Sequence, residues 1–193
     1  MAKRSLFTET VKYFKKVKDR WYIEFKGETA YLCDGYMICK MPIPYYTEYI
    51  VSSIAGIPTH TGDGRYTIEK GRTSEGNIDL ATMIKQTKVY GQTTATEMLI
   101  DCADLTWKKR QARVFLWDID GETSGAMINE TFYQISKEYS PDGKYGYSRK
   151  NAPLITGNED FSFLVLPIHY ASDSMLQTII DAMNHARTAE KIA

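Results

Sequence analysis

The chain has 193 residues with 43% apolar and 25% charged side chains, the balance of an ordinary globular protein long enough to bury a substantial core. Its 24 basic and 24 acidic residues cancel, so no global charge draws it to nucleic acid or an anionic membrane, and any electrostatic function must come from local clustering. Cys33, Cys39 and Cys102 form no CxxC pair, which argues against a disulfide framework or structural zinc; with no leader-like apolar core in MAKRSLFTE, the expectation is a cytoplasmic protein that spans no membrane.

The first element is a helix. Phe7, Val11, Phe14 and Val17 fall on one stripe at helical spacing, Thr8 is placed to cap it, and Lys12, Lys15, Lys16 and Arg20 lie on the other side. WYIEF and TAYLC read as strands joined at Lys26-Gly27-Glu28, and YMICKM as a third strand after an Asp34-Gly35 turn, ended by Pro42. These elements make a first unit, 5–44.

The middle segment, 45–127, is less regular. THTGDGRYTIEKGRTSEGN reads as loops with at most one strand. DLATMIKQ suits a short helix, with Leu80, Met83 and Ile84 on one face. TEMLIDCADLTW and QARVFLWDI predict two long strands joined through Lys108, Lys109 and Arg110.

A second unit, 128–170, repeats the first order. Asn129 is placed to cap a helix from Glu130 to Tyr139, with Phe132, Ile135 and Tyr139 on one face. A break at Ser140-Pro141-Asp142-Gly143 precedes strands in KYGYSR, APLIT and FSFLVLPI, the last two separated by Gly157-Asn158. Both units read helix, strand, strand, strand, Pro-Ile, so residues 1–193 are expected to form a single α+β domain with an internal repeat. The final segment, 171–193, predicts an amphipathic helix that packs on the domain or on a partner.

The run AYLCDGYMICKMPIP resembles the bacterial DNA sliding clamp family, the DNA polymerase III beta subunits. In that family a strand typically ends in Thr-Asp-Gly and the next runs through an Arg towards a Pro. Asp34, Gly35 and Pro42 keep this pattern; Cys33 and Met37 depart from it. The run from MINETFYQISKEY through NAPLITGNEDFSFLVLPI is likewise similar to the clamp's last helix and strands. The resemblance implies a DNA-clamp-like domain of two βαβββ-type units with an inserted β-rich middle and a C-terminal helix. It also implies a non-catalytic role: tethering to double-stranded DNA through phosphate contacts, or to replication or repair proteins, as a homo-oligomer without cofactors. The family carries two or three such domains per subunit, whereas this chain has material for one. Past Ile168 the chain continues where the clamp's chain would end beside its peptide pocket.

On the resemblance, Lys12, Lys15, Lys16 and Arg20 are the candidate phosphate contacts, with Lys108, Lys109, Arg110 and Arg113 as a second basic patch; ordinary solvated lysines and a charged hairpin loop are the alternative. Glu130, Gln134, Lys137 and Glu138 read as a mixed exposed face on the second helix, which leaves a surface lined by both helices only half basic. A protein-interaction module with the same fold and no DNA binding would instead use the C-terminal helix or the Tyr45–Tyr49 region. VFLWDIDGET resembles the first motif of haloacid-dehalogenase-type phosphohydrolases, with Asp118 as nucleophile and Asp120 as general acid, but the spacing to the candidate acidic motif at Glu159-Asp160 is too short for the βα units that fold places between them. His60, His169 and His185 have no metal-ligand spacing, and no GxSxG, P-loop or GxGxxG motif is present.

Overall fold

In the computed structural model, which describes residues 6–101, 111–140, 142–147, 153–168 and 176–181, the first helix, α1, spans Thr8–Phe14. The residue before it is Phe7, held at φ 62°, and no side chain at that position caps the helix; Thr8 is already helical and is not the cap expected from the sequence. The helix also stops short of Val17, so Arg20 lies in the following loop and not on the lysine face. Three strands follow as expected: β1 (Trp21–Lys26), β2 (Thr29–Cys33) and β3 (Met37–Pro42). Pro42 cannot continue the ladder, and the chain turns into a short helix, α2 (Ile43–Tyr45), that widens into a π-helix over Tyr46–Val51.

The Gly- and Thr-rich stretch is more ordered than its composition suggests. It forms a hairpin, β4 (Gly64–Glu69) and β5 (Arg72–Glu75), around Lys70 (φ 50°) and Gly71 (φ 74°), the two positive φ values of a tight two-residue turn. The short helix appears as α3 (Leu80–Gln86), capped by Asp79, whose carboxylate accepts from the Thr82 amide at 2.8 Å. The long strands are β6 (Gly91–Asp101) and β7 (Gln111–Ile119), followed by β8 (Glu122–Asn129). Asn129 caps α4 (Glu130–Ser136), accepting from the Thr131 amide at 2.8 Å, and this helix ends one turn before Tyr139. The last strands are β9 (Lys144–Tyr147), β10 (Leu154–Gly157) and β11 (Ser162–Val165).

These strands form a sheet in the order β5-β4-β1-β2-β3-β11-β10-β9-β6-β7-β8. At its centre β3 and β11 run antiparallel, with Met37 opposite Val165 and Cys39 opposite Phe163. The two three-strand meanders therefore meet edge to edge through their last strands, an approximate two-fold arrangement. The middle segment is shared between the halves: β4 adds to β1 on one flank, and β6 to β9 on the other. One strand, β8, leads directly into α4, giving the second unit the order βαβββ.

Both faces of the sheet are covered. On one, Trp21, Ile23, Phe25, Leu32, Cys39, Phe163 and Val165 join Phe7 and Phe14 from α1 and Phe132 and Ile135 from α4 in the main core. On the other, Tyr31, Cys33, Ile38 and Leu164 pack under Leu80 of α3. At the far flank Ala112, Val114 and Met127 are buried beneath Leu176 and Ile180 of the helical residues 176–181, so the described part of the C-terminal helix packs on the domain. Two-sided burial explains why the strand sequences FLVL and VFLW are continuously apolar and do not alternate. Among the described residues no helix is long and apolar enough to cross a membrane.

Candidate nucleic-acid interface

The basic side of α1 survives folding in part. Lys12, Lys15 and Lys16 are all exposed. Lys12 pairs with Glu9 one turn earlier at 2.8 Å, an exposed i,i+3 pair of small energetic value. Arg20 pairs with Glu69 on β4 at 3.0 Å and so ties the loop to the sheet. Among the described residues, Lys15 and Lys16 form no ion pair. Lys108, Lys109 and Arg110 lie outside the described residues.

The position of α1 is set by two carboxylates from other elements. Glu138, just past α4, accepts from the Glu9 amide at 2.7 Å, the Thr10 amide at 3.0 Å and the Thr10 hydroxyl at 2.7 Å. It takes up the first-turn amides that no local residue caps, and its charge suits the positive end of the helix. On the opposite flank the Tyr13 hydroxyl donates to Asp34, whose other oxygen accepts from the Tyr36 and Met37 amides at 2.9 Å each. Burial pushes the Asp34 carboxyl above its ordinary range, while Tyr13 and the amides pull it back. Burial, then the Asp34 charge, pushes the Tyr13 phenol well up, so it remains the donor at any ordinary pH.

The α4 face is not the mixed exposed surface its sequence suggests. Glu130 is buried and meets Arg113 of β7 through two parallel bonds, Nε at 3.1 Å and Nη2 at 3.2 Å. Gln134 adds a bond to Glu130 at 2.5 Å, and Arg113 also donates to the Thr96 and Glu97 carbonyls. Arg113 lies 4.8 Å from the centre of the Tyr133 ring and Lys137 lies 4.6 Å from it. Arg113 is thus committed to internal contacts and is no part of a second basic patch. Glu130 is neutralised internally and Glu138 is engaged at the first turn of α1, so among the described residues Lys15 and Lys16 keep their charge free of an ion pair while Lys12 shares its own with Glu9.

The remaining candidates resolve differently. Asp118 is the last residue but one of β7, while Asp120 (φ 52°) and Gly121 (φ 84°) form a two-residue hairpin turn into β8, with Asp118 opposite Thr123. The Thr123 hydroxyl donates to Asp118 at 3.2 Å. A strand–turn–strand places these carboxylates at a hairpin end, whereas the phosphohydrolase motif needs a loop above a parallel sheet; the geometry overturns that reading. Among the described residues no group of His, Cys, Asp and Glu is arranged to hold a metal ion. His60 packs edge-on against Phe25; His169 and His185 lie outside the described residues. Tyr46 is fully buried and donates to the Pro58 carbonyl at 2.6 Å, while Tyr45 and Tyr49 pack around Phe7. These tyrosines serve chiefly as core.

A groove that the sequence did not reveal runs between α1 and the π-helix. Thr8, Val11, Lys12 and Lys15 line one side, and Glu48, Tyr49, Ser52 and Ser53 the other. Its two walls are more than thirty residues apart in the chain, and only folding brings them together.

No family model matches the chain, and no curated protein matches it. Solved structures do align with it. A protein described as a DNA polymerase III beta subunit, from Eubacterium rectale, aligns over 86% of this chain and 64% of its own at 12% identity, with a TM-score of 0.41. The Helicobacter pylori beta clamp bound to a DNA ligase peptide aligns over 86% of this chain and 59% of its own at 9% identity, with a TM-score of 0.39. The chain therefore spans less than two thirds of either protein, and a likeness at this level assigns no function.

Proposed function

We propose that this is a non-catalytic, sliding-clamp-like protein that tethers to double-stranded DNA or to replication proteins as a homo-oligomer. The observation that carries the reading is the exposed lysine cluster at the C-terminal end of α1, where Lys15 and Lys16 have no ion pair among the described residues. Lys12 on α1 and Lys15 and Lys16 in the turn that ends it stand out to solvent beside a helix anchored at both flanks, while Glu130 of the neighbouring unit is turned inward to Arg113. The two helix-plus-meander units, joined through β3 and β11, follow the plan implied by the resemblance of AYLCDGYMICKMPIP to the clamp family. Lysines without an arginine fork suit backbone phosphates, a contact that carries no sequence information and weakens with salt. The function requires no active site, because a clamp works by encirclement.

The test has two parts. Light scattering behind size-exclusion chromatography should find a closed oligomer whose mass does not drift with concentration; a monomer at every concentration removes encirclement. Replacing Lys12, Lys15 and Lys16 together with Glu should abolish salt-sensitive retention on duplex DNA, and unchanged retention rejects α1 as the contact.

A second reading, an interaction module without DNA binding, is favoured by Met83, Val89 and Tyr90, each at least half exposed. Under it, charge reversal on α1 leaves every activity intact, while Tyr90→Ser weakens capture of a replication protein.

A further inference from the structure

We propose that the groove between α1 and the π-helix is an anion site that seats a single backbone phosphate, with Ser53 as its hydroxyl donor. The inference rests on the reading of α1 as a nucleic-acid contact and adds a specific seat to it. Lys12 and Lys15 face the groove from one wall. From the other, two adjacent hydroxyls are available in principle, but their hydrogen bonds separate them. Ser52 donates to the carbonyl of Glu48, four residues back, so its proton is already placed. Ser53 is half-buried, and among the described residues no partner engages its hydroxyl. Its amide is occupied by the Ile50 carbonyl at 3.1 Å, which leaves the side chain as the group that can donate into the groove.

The π-helix supplies the geometry. Its wider turn is closed by the Ser52 amide on the Thr47 carbonyl, five residues back, at 3.3 Å, and Ser53, two residues past the end of the π-helix, lines the same groove as Lys15. Such local widening of a helix recurs at functional sites. Two acids bear on the balance. Glu9 holds Lys12 at 2.8 Å and Glu48 lines the opposite wall, so Lys15 is the cation with no competing ion pair among the described residues. The site is accordingly a weak one, suited to a single charge within a repeating polyanion. Lys16, next to Lys15, meets a neighbouring phosphate, and a nucleic-acid strand benefits from both where an isolated phosphoserine uses one.

Titration of the isotopically labelled protein with inorganic phosphate, followed by amide chemical shifts, tests the site without DNA. The expected result is movement at Lys15, Ser52 and Ser53, with affinity reduced about threefold by Ser53→Ala and by Lys15→Gln and unchanged by Ser52→Ala. These positions are exposed or half-exposed, so the variants fold. Absence of localised shifts, or equal losses from the two serine variants, overturns the proposal. Duplex DNA separates the two readings. If Ser53→Ala binds duplex as tightly as the unaltered protein, the seat is wrong although α1 still meets DNA. If phosphate binds through Ser53 while no duplex does and a phosphoserine peptide competes, the nucleic-acid assignment is overturned.

Discussion

The two halves of the sheet solve one problem, how to start a helix beside a meander, in different ways. In the second half the solution is local: Asn129 caps α4 from the position before it, and Glu130 at its first residue is clasped by Arg113 of the adjacent strand pair. In the first half nothing local serves. Phe7 occupies the cap position at φ 62°, a strained conformation for a bulky side chain, and the amides of α1 are satisfied by Glu138 from the other half. Phe7 is held there by aromatic contacts, with ring centres 5.3 Å from Tyr139 and 5.7 Å from Phe161. The start of α4 is thus satisfied from within its own half, while α1 depends on the second unit being in place. The surface that carries the basic residues is therefore the more conditional of the two.

The strongest way to break this comparison is at the buried pair. Glu130→Ala strands Arg113 among Tyr133 and Tyr145 and is expected to cost about 3 kcal/mol, read as a lower denaturant midpoint; a loss below about 1 kcal/mol shows that the pair is not the fastening of α4. Next is Glu138→Ala, expected to cost about 2 kcal/mol and to raise hydrogen exchange in the first turn of α1 far more than in α4. Equal exchange in both helices removes the asymmetry. Asn129→Ala should cost about 1 kcal/mol with the opposite exchange pattern, loosening α4 first and α1 through it.

The smallest expected effect concerns acid. The Asp34 carboxyl lies above its unfolded value because burial outweighs its donors, so the cost of ionising it is absent below the unfolded carboxylate range and grows as pH rises through the folded one. Tyr13→Phe removes a donor to the ionised form and should enlarge this loss, so the variant's deficit is greater at neutral pH than at low pH. A deficit that widens on acidification reverses the sign and shows that Tyr13 supports the protonated carboxyl of Asp34 and not the ionised one. Thiol chemistry sharpens the same region. Burial pushes the Cys33 thiol up to about 12 and leaves Cys39 fully covered, so with Cys102→Ser neither should react with a disulfide reagent until the chain unfolds.

Much of the architecture was legible because helix and strand periods are local. The Phe7/Phe14 stripe, the Asp-Gly turn at 34–35 and the Asn129 cap each announce themselves within a few residues, and so does the repeated order of helix, strands and Pro-Ile. The β4–β5 hairpin was not legible. Only Tyr66 and Ile68 of β4 alternate with polar residues, β5 is an exposed edge strand with no apolar residue, and the turn at Lys70 requires a positive φ from a residue that does not advertise it.

For the candidate site the division runs between composition and pairing. By itself the sequence determined that a lysine-bearing helix precedes a three-strand meander, and that this pattern recurs, because burying an apolar stripe leaves the charges outside. Only the tertiary structure decided which charges count. It placed Arg113 on Glu130, Arg20 on Glu69 and Glu138 on α1, and it brought Ser53 and Lys15 into one groove. Those pairings join residues from 17 to 129 positions apart. A charge has no periodicity that names its partner, so electrostatic identity emerges only once the chain has closed around its core.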